Sequence, residues 1–185
     1  MDALSLLTSR RSTKKLSAPV PNAEQLNALF AAAQRAPDHG KLQPYHFVVM
    51  QGAGLQRLGE LLKDAVEEFE LGEERLKKAE NFAARAPMVI AVIAKINQEA
   101  EKVPGWEQML TAGCATYALQ LAAAAQGFSS FWASGPFVNG SALRQALGCR
   151  EQDKIVALLQ LGTAIEPSDK PLRTTNLEEL VDYWE

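Results

Sequence analysis

Met88-Val89-Ile90-Ala91-Val92-Ile93 is the most strand-like stretch of this 185-residue chain. It follows Pro87, it is apolar throughout, and it is rich in β-branched side chains. A short apolar run of this composition predicts a buried strand, because buried helices are usually longer. We therefore expect this stretch to lie in the hydrophobic core.

The segment from Trp106 to Gln126 is the longest predicted helix. It is rich in alanine, it is hydrophobic nearly all round, and Gly127 follows it as a typical helix-ending residue. A helix with so little polar surface must be buried on most sides. Its place is therefore either the centre of the domain or an interface between subunits.

Shorter patterns predict the other elements of a mixed α/β sandwich. Asn176 and Glu179 stand in the relation of a capping box and predict a last helix. No linker or repeat divides the chain, so one domain is expected over residues 1–185. The remaining predictions are strands at 45–50, 128–134 and 155–161, and helices at 4–7, 22–36, 52–71, 73–80 and 141–147.

The composition narrows the function classes. With 47% hydrophobic residues, 22% charged residues and a net charge of -3, the chain is typical of soluble proteins and unlike charge-driven nucleic-acid binders. The N-terminus lacks a secretory pattern, and the apolar runs are too short to cross a membrane. Cys114 and Cys149 lie outside any CxxC pattern, and reduced buried thiols are favoured over a disulfide. We expect a cytoplasmic protein with neither a nucleic-acid nor a membrane partner.

Basic residues form the first candidate site. Ser9-Arg10-Arg11-Ser12 places two guanidinium groups beside hydroxyls, a combination that suits a dianionic phosphate. Arg35 ends a helix just before Pro37, and Lys170-Pro171-Leu172-Arg173 adds two cations. Taken alone, each group is better explained as plain surface residues.

Other motifs have simpler structural explanations. Gly52 and its neighbours fail as a dinucleotide fingerprint, because Arg57 stands where the third glycine belongs. His39 lies in a loop where it could bond a ligand, whereas His46 fits a structural role in a strand; neither belongs to a metal cluster. Cys114 has no basic neighbour that would activate it. Any chemistry would therefore reside in a cofactor.

Several motifs follow one another over essentially the whole chain. They are Arg10-Arg11-Ser12, Arg35-Ala36-Pro37-Asp38-His39, Gln43-Pro44-Tyr45-His46-Phe47, Ala86-Pro87 before a strand, the helix ending at Gly127, and Lys170-Pro171-Leu172-Arg173 before Leu177-Glu178-Glu179. Their order and spacing resemble those of the FMN-dependent nitroreductase family. Residues 103–108, 112–115 and 148–156 are similar to its short, YdjA-type NAD(P)H nitroreductases.

The resemblance implies an α+β fold, with a mainly antiparallel central sheet flanked by helices, in an intertwined homodimer that has one FMN at each end of its interface. It implies that Arg35 and His39 reach the flavin from the partner subunit or line its ring. Leu42 stands where many members have an asparagine. The flavin phosphate and ribityl groups would be held by Arg10, Arg11 and Ser12 with Arg173, and the isoalloxazine would lie along Phe131, Trp132, Ala133, Ser134 and Gly135.

The activity implied by the resemblance is ping-pong hydride transfer from NAD(P)H to an oxidised acceptor such as a nitroaromatic or quinone, with no catalytic side chain. Two other functions remain open at this point. One is a non-catalytic flavin-binding or redox-sensing module that uses the same pocket. The other is a cofactor-free dimer whose basic residues only organise an interface.

Overall fold

An antiparallel sheet forms the centre of the fold. The structure is a computed structural model that describes residues 2–166, 171–172 and 175–184. Within these ranges the sheet has the order β1-β5-β3-β2, β4 also pairs with β5, and the named strands pair with one another in antiparallel fashion. Its strands are β1 (Leu16–Ser17), β2 (Tyr45–Met50), β3 (Met88–Ala94), β4 (Ser129–Ala133) and β5 (Lys154–Ala164).

Helices cover both faces of this sheet. One face packs against α3 and α6, and the other packs against α2 and α5. The helices are α1 (Ala3–Ser9), α2 (Ala23–Ala33), α3 (Ala53–Glu68), α4 (Glu73–Glu80), α5 (Gly105–Ala125) and α6 (Ser141–Ala146). The predicted α+β fold is confirmed.

The strand β3 is buried along its whole length. Its side chains alternate between the two layers: Val89, Ala91 and Ile93 face the α3 side, while Ile90 and Val92 face the α5 side. All these side chains are fully buried. The prediction of a buried strand is confirmed, and its continuous apolar sequence reflects a strand covered on both faces.

The helix α5 packs on the sheet through one side only. Its inward side includes buried polar residues, among them Gln108, Thr116 and Gln120. Its outward side carries apolar residues that are exposed in this subunit, namely Trp106, Met109, Leu110, Cys114 and Tyr117. Because apolar residues also occupy this outward side, the sequence of the helix is hydrophobic all round.

Two sequence predictions differ from the structure. Cys114 was expected to be buried, but it lies on the outward side of α5 and is exposed. The predicted last helix is only a 3-10 turn over Leu177–Glu179. Asn176 does cap this turn, but Leu177 and Leu180 are 70% and 68% exposed. A helix needs packing for most of its stability, and these side chains have little.

The short strand β1 was not predicted, and it depends on a close backbone approach. A Cβ atom on Gly162 would lie 2.7 Å from the carbonyl oxygen of Ser17 and 3.0 Å from Pro87 Cδ. Only glycine leaves room for β1 to pair with β5 at this point. A pairing of two residues leaves too short a sequence pattern to be recognised.

A buried carboxylate fixes the start of β5. Asp153 has no exposed side-chain surface, and it pairs with Lys95 Nζ at 2.5 Å and Arg150 Nη2 at 3.0 Å. It also accepts hydrogen bonds from the backbone N–H groups of Ile96 and Arg150. Burial raises the pKa of Asp153, but hydrogen bonds from Arg150 and Lys95 outweigh burial and hold that pKa well below its usual range.

We expect Asp153→Asn to lower the free energy of unfolding by about 2 kcal/mol, because charge-assisted hydrogen bonds to a buried carboxylate are lost. Urea unfolding at pH 7 measures the change. Glu74→Gln is the matched control, since its exposed pair with Lys78 lies one helical turn away and should leave stability unchanged.

The difference in unfolding free energy between wild type and Asp153→Asn depends on pH in a defined way. Because folding lowers the pKa of Asp153, its stabilisation is fully present above the ordinary aspartate pKa of about 3.9 and is lost as the pH falls toward the folded-state value. The difference between wild type and Asp153→Asn should therefore shrink below about pH 4. A difference that stayed constant down to the acid limit of folding would contradict this assignment.

Candidate functional site

A basic cavity lies where α1 ends. Arg10 is the C-cap residue of α1, and with Arg11 it lines a cavity of about 340 Å³. The other wall includes Gly127, from the connection between α5 and β4, and Ser129 and Ser130 at the start of β4. The tight turn at Gly127 lets the chain reverse from α5 into β4, because its φ of 84° is one that glycine adopts easily.

Three segments meet at Ser130, next to this cavity. Ser12 forms a parallel bridge with Ser130, and the backbone N–H of Thr13 donates to the Ser130 carbonyl at 3.0 Å. From α5, the buried amide of Gln120 donates to the Ser130 hydroxyl at 3.0 Å. The residues after the arginine pair are thus fixed to both the sheet and α5.

Arg10 has an unsatisfied donor. Its Nη1 atom is buried, and no hydrogen-bond partner for it is found in the described parts of the chain. On another side its guanidinium lies 5.6 Å from the centroid of the Tyr117 ring. An unpaired buried donor on a charged group is costly, so the arrangement fits an anionic ligand that would complete it. A phosphate group matches that chemistry.

Arg35 lines a different pocket. This pocket has a volume of about 430 Å³ and lies between the end of α2 and the outward side of α5. Its walls include Pro37, Leu110, Cys114 and Tyr117, so it is mainly apolar. Tyr117 contacts Arg10 and also lines the Arg35 pocket, which places the two sites on neighbouring parts of α5.

His39 lies in a loop that is held by carboxylates. Its Nδ1 atom is 2.8 Å from the Oε2 atom of Glu107 in the first turn of α5. The carboxylate of Asp38 accepts hydrogen bonds from the backbone N–H groups of Leu42 and Gln43, at 3.1 and 2.7 Å. These bonds fix the loop and the direction of one ring nitrogen of His39.

The segment that ends β4 turns sharply after the sheet. Phe131 packs on the α3 side and Trp132 on the α5 side, where its indole N–H donates to the Val156 carbonyl at 3.1 Å. Lys14 Nζ lies 5.2 Å from the centroid of the Phe131 ring. Ala133 is buried, Ser134 is exposed, and Gly135 has a φ of 151° that favours glycine.

The structure therefore brings together only part of the predicted set. Arg10 and Arg11 share a cavity and Ser12 lies beside it, whereas Arg35 lines another pocket. Lys170 and Arg173 lie outside the described residues. Sequence reasoning missed Thr13, Tyr117, Gln120, Ser129 and Ser130. Of these, only Tyr117 and Gln120 could have been noticed in the sequence, because they are large polar residues in an alanine-rich helix.

The described residues offer neither a metal cluster nor a membrane-spanning helix. Within residues 2–166, 171–172 and 175–184, no three His, Cys, Asp or Glu side chains are grouped so that they could hold a metal ion. In the same ranges no helix is both long enough and apolar enough to span a membrane.

Comparison with known proteins agrees with the fold and the motifs. Residues 7–163 match the Nitroreductase family. A Haemophilus influenzae protein named "Putative NAD(P)H nitroreductase" is 62% identical over 99% of this chain and 100% of its own length. The Escherichia coli K12 protein named "Putative NAD(P)H nitroreductase YdjA" is 47% identical, with 100% of both chains covered.

A solved structure agrees with the architecture. The nitroreductase with bound FMN from Bacteroides fragilis superposes with a TM-score of 0.80, at 22% identity, and covers 100% of both chains. The chain belongs to the nitroreductase family, which is a family of oxidoreductases. The predicted family and its YdjA-type relatives are thereby confirmed.

We expect the neutral His39 ring to carry its proton on Nδ1, because the Glu107 carboxylate can only accept a hydrogen bond. Two-dimensional ¹H–¹⁵N NMR of the imidazole nitrogens measures the tautomer. His39 and His46 are the only histidines, so His46→Gln assigns the signals.

The controls use the same two residues. Glu107→Ala should move His39 toward the Nε2-protonated form, and Glu107→Gln should retain much of the Nδ1-protonated form because its amide oxygen still accepts. The exposed His46 provides an internal reference that neither variant should change. An Nε2-protonated His39 in the wild type would contradict the hydrogen bond.

Proposed function

We propose that the chain is an FMN-dependent oxidoreductase and that the Arg10 cavity holds the FMN phosphate. The observation that carries the proposal is the buried, unpartnered Nη1 atom of Arg10 in a cavity with a second arginine. Family membership supports it, and so does the FMN in the similar structure from Bacteroides fragilis. A phosphate there would pair with the orphaned donor and be neutralised by both guanidinium groups.

The phosphate and ribityl groups are assigned to Arg10, Arg11 and Ser12. Ser12 is exposed next to the cavity, so its hydroxyl is available to a ligand. Arg173 stays in this set as a prediction from the resemblance. The fixed backbone at Ser130 supports the assignment, because binding would then require little ordering of the chain.

The flavin ring is assigned to the end of β4, along Phe131, Trp132, Ala133, Ser134 and Gly135. Ser134 and Gly135 follow the last paired residue of the strand, so their backbone N–H groups are released from the sheet. Arg35 and His39 are assigned to the same site from the partner subunit. Their position outside the Arg10 cavity of their own subunit is consistent with that role.

The chemistry supplied by bound FMN is hydride transfer from NAD(P)H to an oxidised acceptor, nitroaromatic or quinone-like, in the two half-reactions of a ping-pong cycle. The protein would bind and orient the reactants and needs no nucleophile of its own. The properties of the Cys149 thiol are consistent with this mechanism. Cys149 is half-buried, and burial raises its pKa, which disfavours the reactive thiolate.

A homodimer with shared active sites completes the proposal. Trp106 and Leu110 on the outward side of α5 are 60% and 57% exposed, and Met109, Cys114 and Tyr117 continue the apolar surface along the helix. A contiguous apolar stripe of this kind marks an interaction surface. We also retain one domain over residues 1–185, a cytoplasmic location, and no nucleic-acid or membrane partner.

We expect sedimentation to show a dimer at micromolar concentration, and Leu110→Glu to shift it toward monomer, because a charge would be buried in the α5 interface. Phe69→Glu is the matched control. Phe69 is 39% exposed at the end of α3, on the opposite face of the sheet, and its substitution should leave the dimer intact. A folded, monodisperse wild-type monomer would refute the shared site.

The activity is tested by following flavin absorbance in a stopped-flow instrument. We expect the purified protein to be yellow with FMN, to bleach on addition of NADH or NADPH, and to recover its colour with a quinone. Cys114→Ser and Cys149→Ser should retain most of both rates, since neither thiol takes part.

Each other result selects a different function. Bound FMN without steady-state turnover would favour the redox-sensing or flavin-binding module. A colourless protein that does not bind added FMN would favour the cofactor-free dimer. Loss of both rates in a cysteine variant that still holds FMN would refute the mechanism without a catalytic side chain.

A further inference from the structure

We propose that Tyr117 is a positioning residue for the phosphate site: its ring holds the guanidinium of Arg10 in place without using the hydrogen-bond donors that bind phosphate. The inference rests on the proposed function, and it assigns a role to a residue that no motif identified. It comes from the contact between α1 and α5, in which the Arg10 guanidinium carbon lies 5.6 Å from the centroid of the Tyr117 ring.

Arg10 needs an anchor because of where it lies. Its backbone is fixed as the C-cap of α1, where its N–H donates to the Leu6 carbonyl at 3.3 Å. Its side chain has several rotatable bonds, and ordering it costs conformational entropy. A ring within about 6 Å of a guanidinium attracts that cation through its electron-rich face. Tyr117 can therefore order the Arg10 side chain in part before a ligand binds.

The position of Tyr117 on α5 links the anchor to the cavity. Ala124, which lines the cavity, lies two turns further along the same side of α5. Between them, Gln120 holds Ser130 on the opposite wall. One helix thus carries both the Tyr117 ring that contacts Arg10 and the Gln120 amide that holds the opposite wall. The distance between this ring and this amide is therefore fixed by a single rigid helix.

An aromatic anchor has different consequences from a carboxylate. Arg150 shows the alternative in this same chain: its Nη2 atom donates to Asp153 and to the Ile96 carbonyl. An arginine held in that way has those donors already occupied. Arg10 keeps an unpartnered Nη1 atom beside its aromatic neighbour. The ring therefore restrains the cation while leaving a donor for the phosphate.

The test compares FMN with riboflavin, which lacks the phosphate. Apoprotein is titrated with each flavin, and dissociation constants are obtained from the quenching of flavin fluorescence. We expect Tyr117→Leu to weaken FMN binding about three- to tenfold, the range of a partly desolvated cation–π contact, and to leave riboflavin binding unchanged. Tyr117→Phe keeps the ring and should bind both flavins as the wild type does.

A double-mutant cycle with Arg10 makes the test specific. Arg10→Ala should itself reduce FMN binding and spare riboflavin binding, and adding Tyr117→Leu to it should cause no further loss. Sedimentation of every variant shows whether the oligomeric state is unchanged. A variant that had lost its fold would lose affinity for both flavins, so a loss confined to FMN excludes misfolding.

Three results would overturn the inference. Equal losses for FMN and riboflavin in Tyr117→Leu would mean that Tyr117 supports the flavin or the interface. A loss in Tyr117→Phe as large as in Tyr117→Leu would mean that the hydroxyl, and not the ring, is required. Additive losses in the double variant would mean that the two residues act separately. A wild-type protein that binds neither flavin would instead refute the proposed function itself.

Discussion

Burial of β3 on both faces is the constraint on which the rest of the structure depends. A strand without a polar side must be covered by two layers, and α3 supplies one while α2 and α5 supply the other. This arrangement fixes α5 on the sheet by one side. The orientation of α5 then decides that Gln120 points toward β4 and that Tyr117 points away from the core. The candidate site depends on these orientations of Gln120 and Tyr117.

The polar residues of α5 have a clear physical purpose in this setting. A buried side chain with hydrogen-bonding groups must find partners. Thr116 donates to the Ala112 carbonyl within α5, whereas the other buried polar side chains of the helix bond to the sheet or to loops. Thr111 donates to the Pro37 carbonyl at 2.9 Å, next to the His39 loop. Gln108 donates to the carbonyls of Asn97 and Val103. The helix thereby fixes the segments around the candidate site on a rigid support.

Local patterns explain which parts could be predicted. The bounds of β3 and α5 follow from composition and periodicity within one segment, and both were predicted closely. The arginine pair could be predicted as a phosphate site because its chemistry is contained in two adjacent residues. The contact of His39 with Glu107 joins residues 68 positions apart, and the contact of Arg10 with Tyr117 joins two distant helices. Such contacts exist only after folding and leave no trace in a local pattern. Cys114 and the last helix were mispredicted because exposure and packing depend on the whole fold.

The apolar outward side of α5 also has a consequence during synthesis. Within one folded subunit β3 is already covered, but Trp106 and Leu110 remain exposed to water. Exposed apolar surface of this kind is what aggregates and what chaperones bind. With a second copy as the proposed cover, the lifetime of that vulnerable form depends on how soon two chains meet. The concentration of newly made chains would then affect how much of the protein is lost before it can act.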